Sequence, residues 1–170
     1  MKKILLILTV VAVTAGLCSC GNGQDTKSTR VFYEYFDTVT EITALGESEG
    51  EFTRVTDEIE GIFKEYHRLA DIYNEYSGMN NLCTVNKKAG KEPVKVNEKL
   101  LDLMEYGKEA YSLTGGETNI AFGAVTKLWH DAAEDGNRLP EENELKEAAK
   151  HCNIEDIVID RQNGTLFLKD

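Results

Sequence analysis

Two stretches of this chain gather residue types that can hold a ligand. The first, Gly115 to His130, reads GGETNIAFGAVTKLWH. A Gly-Gly pair frees the backbone from side-chain clashes and exposes its N–H groups, which is how a loop comes close to a phosphate or a ring edge. Phe122, Val125, Leu128 and Trp129 follow at helical spacing, so the loop leads to a helix N-terminus, where free N–H groups and the dipole favour anions. The same residues also spell a plainer alternative, a helix C-cap glycine followed by a second core helix. The second stretch, Tyr73 to Asn81, holds two tyrosines, three asparagines, a serine and a glycine without periodicity. That is turn chemistry with aromatic rings in it. A ring in a polar loop is a stacking surface for adenine or isoalloxazine, or a lid over the core, and the pattern leaves both open.

Three pieces, in order along the chain, resemble the ApbE family, the FAD:protein FMN transferases. Tyr35-Phe36-Asp37-Thr38-Val39-Thr40 resembles the family's opening strand, where Met-Gly-Thr or Phe-Asp-Thr is usual. Asp71 to Leu82 (DIYNEYSGMNNL) resembles its tyrosine-containing loop, PYNPDS in many members. Gly115 to Trp129 resembles its segment GG-x-(F/T)-(D/N)-x-x-x-G-x-(L/V)-x-x-(L/I)-W. The resemblance runs from about Val31 to the last residue. It implies an α+β fold of antiparallel strands with packed helices, related to the T-fold. It also implies an activity, transfer of the FMN half of FAD onto a threonine hydroxyl of an exported redox protein, with release of AMP and use of magnesium.

Carried over by position, Phe36 takes the place of the opening-strand residue that touches the flavin, Tyr73 that of the aromatic loop residue, and Glu117, Thr118 and Asn119 that of the loop before the helix. Asn119 stands where many members have Asp, and Phe36-Asp37 where many have Met-Gly. Each residue also has a structural reading: Phe36 as core, Asn119 as a helix N-cap, Glu117 as a first-turn or loop carboxylate. Family members continue past Asp170 with a Gly-x-x-Lys-Gly segment, further FAD contacts, and the Asp and Thr that hold magnesium. The chain is therefore expected to be C-terminally truncated, with about half a flavin site, and its catalytic base and metal ligands are expected in the missing part. Glu117, Asn119 and Asp37 can each bind a cation in principle, but isolated side chains of these types are usually solvated, so none is assigned as a ligand.

The chain begins with Lys2-Lys3, an apolar run from Ile4 to Val13, and small residues before a cysteine, the pattern of a secretory signal. Leu17-Cys18-Ser19-Cys20 fits a bacterial lipobox in which Cys20 is lipidated and becomes the new N-terminus. Residues 1–19 are thus expected to be removed, and residues 20–30, rich in Gly, Asn, Gln, Ser and Thr, to form a flexible tether on the extracytoplasmic face of a membrane. Loss of Lys2 and Lys3 lowers the basic count from 19 to 17 against 30 acidic residues. So acidic a balance argues against nucleic acid, whose affinity comes from Lys and Arg neutralising phosphates, and against a polybasic membrane surface, and membrane contact is expected through lipid only. Cys83 and Cys152 remain; a disulfide between them is open in an exported protein, and two free buried thiols is the safer reading. No Cys-x-x-Cys or His-x-x-x-His spacing supports zinc.

The elements that must position these residues follow from periodicity. Val31 to Leu45 is rich in Val, Ile, Tyr, Phe and Thr and predicts one long strand, or two that share a bend. Phe52, Val55, Ile59, Ile62, Phe63, Tyr66 and Leu69 mark one face of a helix of about five turns. Val94-Lys95-Val96 is extended, and Asn97 caps a helix running through Leu100, Leu101, Met104, Gly107 and Tyr111. Pro140 is expected in the first turn of a short helix lined by Leu145, Ala148 and Ala149. Ile157 to Asp160 and Thr165 to Leu168 flank Asn163-Gly164, a two-residue hairpin turn with φ > 0 at both positions. No later strand follows to pair with the last one, so an exposed apolar face is expected around Ile157, Ile159 and Leu166.

Three functions remain on these grounds: a flavin transferase whose continuation lies elsewhere, a lipid-anchored flavin- or nucleotide-binding module without catalysis, and an acidic surface lipoprotein that binds a protein partner.

Overall fold

A computed structural model describes residues 27–136 and 138–169. The segment expected as a signal peptide, and Cys20, lie outside these residues. The chain divides into two compact units, Met1–Glu60 and Gly61–Asp170.

In the first unit, β1 (Lys27–Phe32) and β2 (Thr40–Leu45) form an antiparallel hairpin with Phe32 opposite Thr40. The stretch expected as one strand or two with a bend is therefore two strands that reverse on each other. Its first strand opens at Lys27, inside the expected tether. The reversal is sharp because Phe36 (φ 59°) and Asp37 (φ 50°) both adopt the left-handed region, with Thr38 N–H donating to the Tyr35 carbonyl at 3.4 Å. For residues with a Cβ this conformation costs roughly 1–2 kcal/mol each. Arg30 on β1 donates to Thr56 Oγ1 at 3.0 Å, to Asp57 Oδ1 at 2.5 Å and to Glu60, all on the helix that follows. Tyr35 donates to the other oxygen of Glu60 at 3.1 Å.

Helix α1 (Glu49–Ala70) starts in the first unit and ends in the second. In the second unit, α2 (Leu82–Lys87), β3 (Val94–Lys95), α3 (Glu98–Leu113), α4 (Gly123–Asp135) and α5 (Glu142–Ala149) lead to a 3-10 turn and the strands β4 (Ile157–Asp160) and β5 (Thr165–Leu168). Asn97 caps α3 as its position implies, its Oδ1 accepting from Lys99 N–H at 2.9 Å. Pro140 instead precedes α5, whose N-cap is Glu141.

The terminal strand has partners on both sides: the sheet order is β3-β5-β4, all antiparallel. The expectation of an unpaired terminal strand fails because Val94-Lys95, seventy residues upstream, supplies the neighbour. Leu166 and Ile157 are accordingly buried, in a core with Leu69, Val85, Val94, Leu100, Leu101, Met104 and Ile154. The β4–β5 connection is also longer than a two-residue turn. Asp160 pairs with Thr165, and Gly164 has φ 65° while Asn163 does not enter the left-handed region. Asp160 takes over the closure, its Oδ1 accepting from Asn163 N–H at 2.9 Å. Arg161 then ties the hairpin to Glu105 and Asp102 of α3.

Candidate functional site

The Gly115-Gly116 pair ends α3. Gly115 (φ 64°) follows the C-cap Thr114, its N–H reaching Ser112 O at 3.3 Å, while Gly116 N–H reaches Tyr111 O at 2.8 Å. These are the two bonds of a Schellman motif. Glu117 N–H goes to Thr114 O at 3.4 Å and Thr118 N–H to Thr114 Oγ1 at 3.0 Å. Four consecutive N–H groups are thus committed within the chain. The glycines act as a helix stop here, and the N–H groups that their sequence offers to a phosphate are instead used within the chain.

What the stop achieves is the placement of Asn119. Its Nδ2 donates to Cys152 O at 2.9 Å and its Oδ1 accepts from Ala121 N–H at 2.9 Å. Asn119 therefore caps the turn ahead of α4, whose own N-cap is Phe122. Glu117 and Thr118 are exposed on the same loop. Ile120 packs on Gly107 of α3 so closely that a Cβ there would come within 2.6 Å of Ile120 Cδ1. That is the reason a glycine sits inside this helix.

The Tyr73 loop is built by two side chains that sequence reading passed over. Asp71 accepts from Tyr73 N–H at 2.7 Å and Asn74 N–H at 2.9 Å through Oδ1, and from Asn74 Nδ2 at 3.0 Å and the Tyr76 hydroxyl at 2.7 Å through Oδ2. Burial opposes ionisation of this carboxyl, but the donors from Asn74, Tyr76 and Tyr73 outweigh it and hold its pKa well below the usual range. Asn81, fully buried, donates to Arg68 O at 3.0 Å and Asn74 O at 2.8 Å and caps α2 by accepting from Thr84 N–H at 3.2 Å. Signals for both existed: Asp two residues before Tyr73 is an Asx-turn pattern, and Asn before the run Leu82-Cys83-Thr84-Val85 is an N-cap.

Tyr73 itself is 62% exposed. Its ring meets that of His130 on α4, with centroids 5.9 Å apart and planes at 38°. The two stretches singled out in the sequence thus meet in the second unit. Residues from both stretches also line a mainly apolar cavity of about 320 Å³, walled by Ile72, Leu82, Met104, Ile120, Ala121 and Ala124, with Asn86, Asn153 and Asp156. A wider groove of about 750 Å³ runs along Arg30, Ser48 and Thr53 in the first unit. It is the less apt ligand site, because its guanidinium is already spent on Asp57 and Glu60. Phe36 belongs to that first unit and occupies the hairpin turn, 42% exposed; neither the strand position nor the core role expected of it is what the structure has. Cys83 is buried and Cys152 half-buried, both as free thiols.

The second unit is thus an α+β domain with an apolar cavity, a tyrosine loop and a glycine-terminated helix. The ApbE family profile matches residues 36–170, and the chain belongs to the ApbE family. Two curated relatives are FAD:protein FMN transferases. That of Klebsiella pneumoniae (strain 342) is 21% identical over 108 residues, covering 64% of this chain and 34% of the relative. That of Treponema pallidum (strain Nichols) is 34% identical over 76 residues, covering 45% and 21%. Among solved structures, the ApbE protein of Thermotoga maritima superposes with a TM-score of 0.69 at 19% identity, and the flavin transferase ApbE of Vibrio cholerae with 0.62 at 18%. Each alignment covers 84% of this chain and 45% of the other. The fold is ApbE-like, and the chain spans a fifth to a third of the curated relatives' length and under half that of the solved structures.

Proposed function

We propose that this chain is part of an FAD:protein FMN transferase, and that its second unit positions FAD. The observation that carries the reading is the ring contact of Tyr73 with His130, in a chain of this family where neighbours of both, Ile72 and Ile120, Ala121 and Ala124, line an apolar cavity. In the reaction the threonine hydroxyl oxygen of an exported acceptor attacks the phosphorus of the FMN half, the bond to the AMP phosphate breaks, and the hydroxyl proton is lost as AMP leaves. The chain's own residues contribute placement. Tyr73 offers a ring face, Asp71 and Asn81 hold the loop that carries it, and Asn119 fixes the backbone ahead of α4.

Magnesium would neutralise pyrophosphate charge in such a transfer. Among the described residues no three of His, Cys, Asp or Glu are grouped to hold a metal, and the Asn119 amide is already used twice. We further propose that Cys20 carries the lipid that anchors the chain to the extracytoplasmic face of the membrane, where an exported acceptor would meet it.

The test is FAD binding by the purified chain, followed by flavin fluorescence, together with an assay for covalent flavin on a threonine-bearing acceptor in the presence of magnesium. Saturable FAD binding is expected, weakened by Tyr73→Ala and Asn119→Ala and unchanged by Lys146→Ala, a surface residue whose ammonium pairs with the exposed Glu142. Binding without transfer is the result for a chain that supplies positioning alone, the flavin-binding module. No saturable binding, or equal losses in all three variants, overturns the reading.

A further inference from the structure

The geometry points to His130 as the residue that positions the Tyr73 ring, a role that rests on the flavin reading above for its ligand but not for its structure. The Tyr73 backbone is fixed from two sides, its N–H donating to Asp71 at 2.7 Å and its carbonyl accepting from Cys83 Sγ at 3.4 Å. Neither bond fixes the side chain, and an exposed ring in a polar loop samples several rotamers. The ring contact with His130 removes that freedom from one side and leaves most of Tyr73 to solvent. Centroids 5.9 Å apart with tilted planes fall in the range where aromatic rings attract beyond simple burial.

His130 is itself held. It sits within α4, and its Nε2 lies 3.3 Å from Glu134 Oε1 one turn later. One turn earlier, Lys127 pairs with Asp131 at 2.7 Å. A stacking surface that must be ordered on binding costs affinity, and one ordered beforehand does not. His130 therefore transfers the rigidity of α4 to a ring on a loop.

The experiment uses the full chain with His130→Gln, which keeps a polar partner for Glu134 but has no ring, and His130→Phe, which keeps the ring and loses that partner. Two readouts are taken: the NMR shifts of the Tyr73 ring protons, which need no ligand, and the dissociation constant for FAD. His130→Gln should move the Tyr73 ring resonances toward those of a free tyrosine and weaken FAD binding by about three- to tenfold, the worth of one aromatic pair. His130→Phe should restore both. His130→Gln placed on Tyr73→Ala should weaken binding no further. If wild type binds no FAD while the ring shifts still follow the presence of an aromatic at position 130, the positioning stands and the flavin reading falls. Unchanged Tyr73 resonances in His130→Gln, or rescue by Gln and loss with Phe, overturn the positioning role.

Discussion

Asn119 Nδ2 donates to the carbonyl of Cys152 at 2.9 Å while its Oδ1 accepts from Ala121 N–H at the same distance, so one amide ties the start of α4 to the turn after α5. An amide does both, whereas a carboxylate has no hydrogen to give Cys152. Asn119→Asp should leave that carbonyl unpaired against a negative charge and lower stability by roughly 1–3 kcal/mol. Urea denaturation checks this. Equal midpoints for wild type and variant would mean that the Cys152 bond contributes nothing.

Asn81 carries a heavier burden, because it is fully buried and all its polar atoms are engaged. Asn81→Ala strands the carbonyls of Arg68 and Asn74 and the N–H of Thr84, at a cost on the order of 3 kcal/mol. Hydrogen exchange should accelerate first across residues 71–85, the loop and helix that this side chain joins. Uniform acceleration across the second unit would indicate a global effect instead.

The start of α5 should respond to acid. Glu144 accepts from both Arg138 guanidinium nitrogens, at 2.7 and 2.8 Å, and from Glu141 N–H at 2.9 Å. These bonds, Arg138 first, hold its pKa down from 4.5 to about 2. A depressed carboxylate stabilises the fold above its unfolded pKa and loses that contribution as pH falls through the folded value, so α5 should loosen between pH 4.5 and 2. Amide exchange of residues 141–149 follows this, and Glu144→Gln should abolish the pH dependence.

Membrane attachment is expected to depend on Cys20. The two or three acyl chains of a bacterial lipoprotein hold firmly where one holds marginally. Cys20→Ser should release the protein or block its processing. A variant that stays with the membrane after detergent-free washing in salt would end the lipobox reading.

Local chemistry was legible in the sequence wherever short range decides. The long helix through Leu69, the Asn97 cap and the end of α3 at Gly115 each depend on residues a few positions apart. The family was legible as well, because its motifs are strings of neighbours. What only tertiary structure decided are the pairings across distance. Val94-Lys95 reaches across seventy residues to make β5 a central strand, and a two-residue strand leaves almost no periodicity to read. Phe36 looked like strand because its neighbours favour β structure, yet Arg30 and Tyr35 are drawn to the helix residues Asp57 and Glu60, and the chain between the strands turns through two left-handed residues. His130 carries no mark in the sequence of the ring it meets, since a contact across fifty-seven positions depends on where Asp71 and Asn81 fold the loop that brings Tyr73 to it.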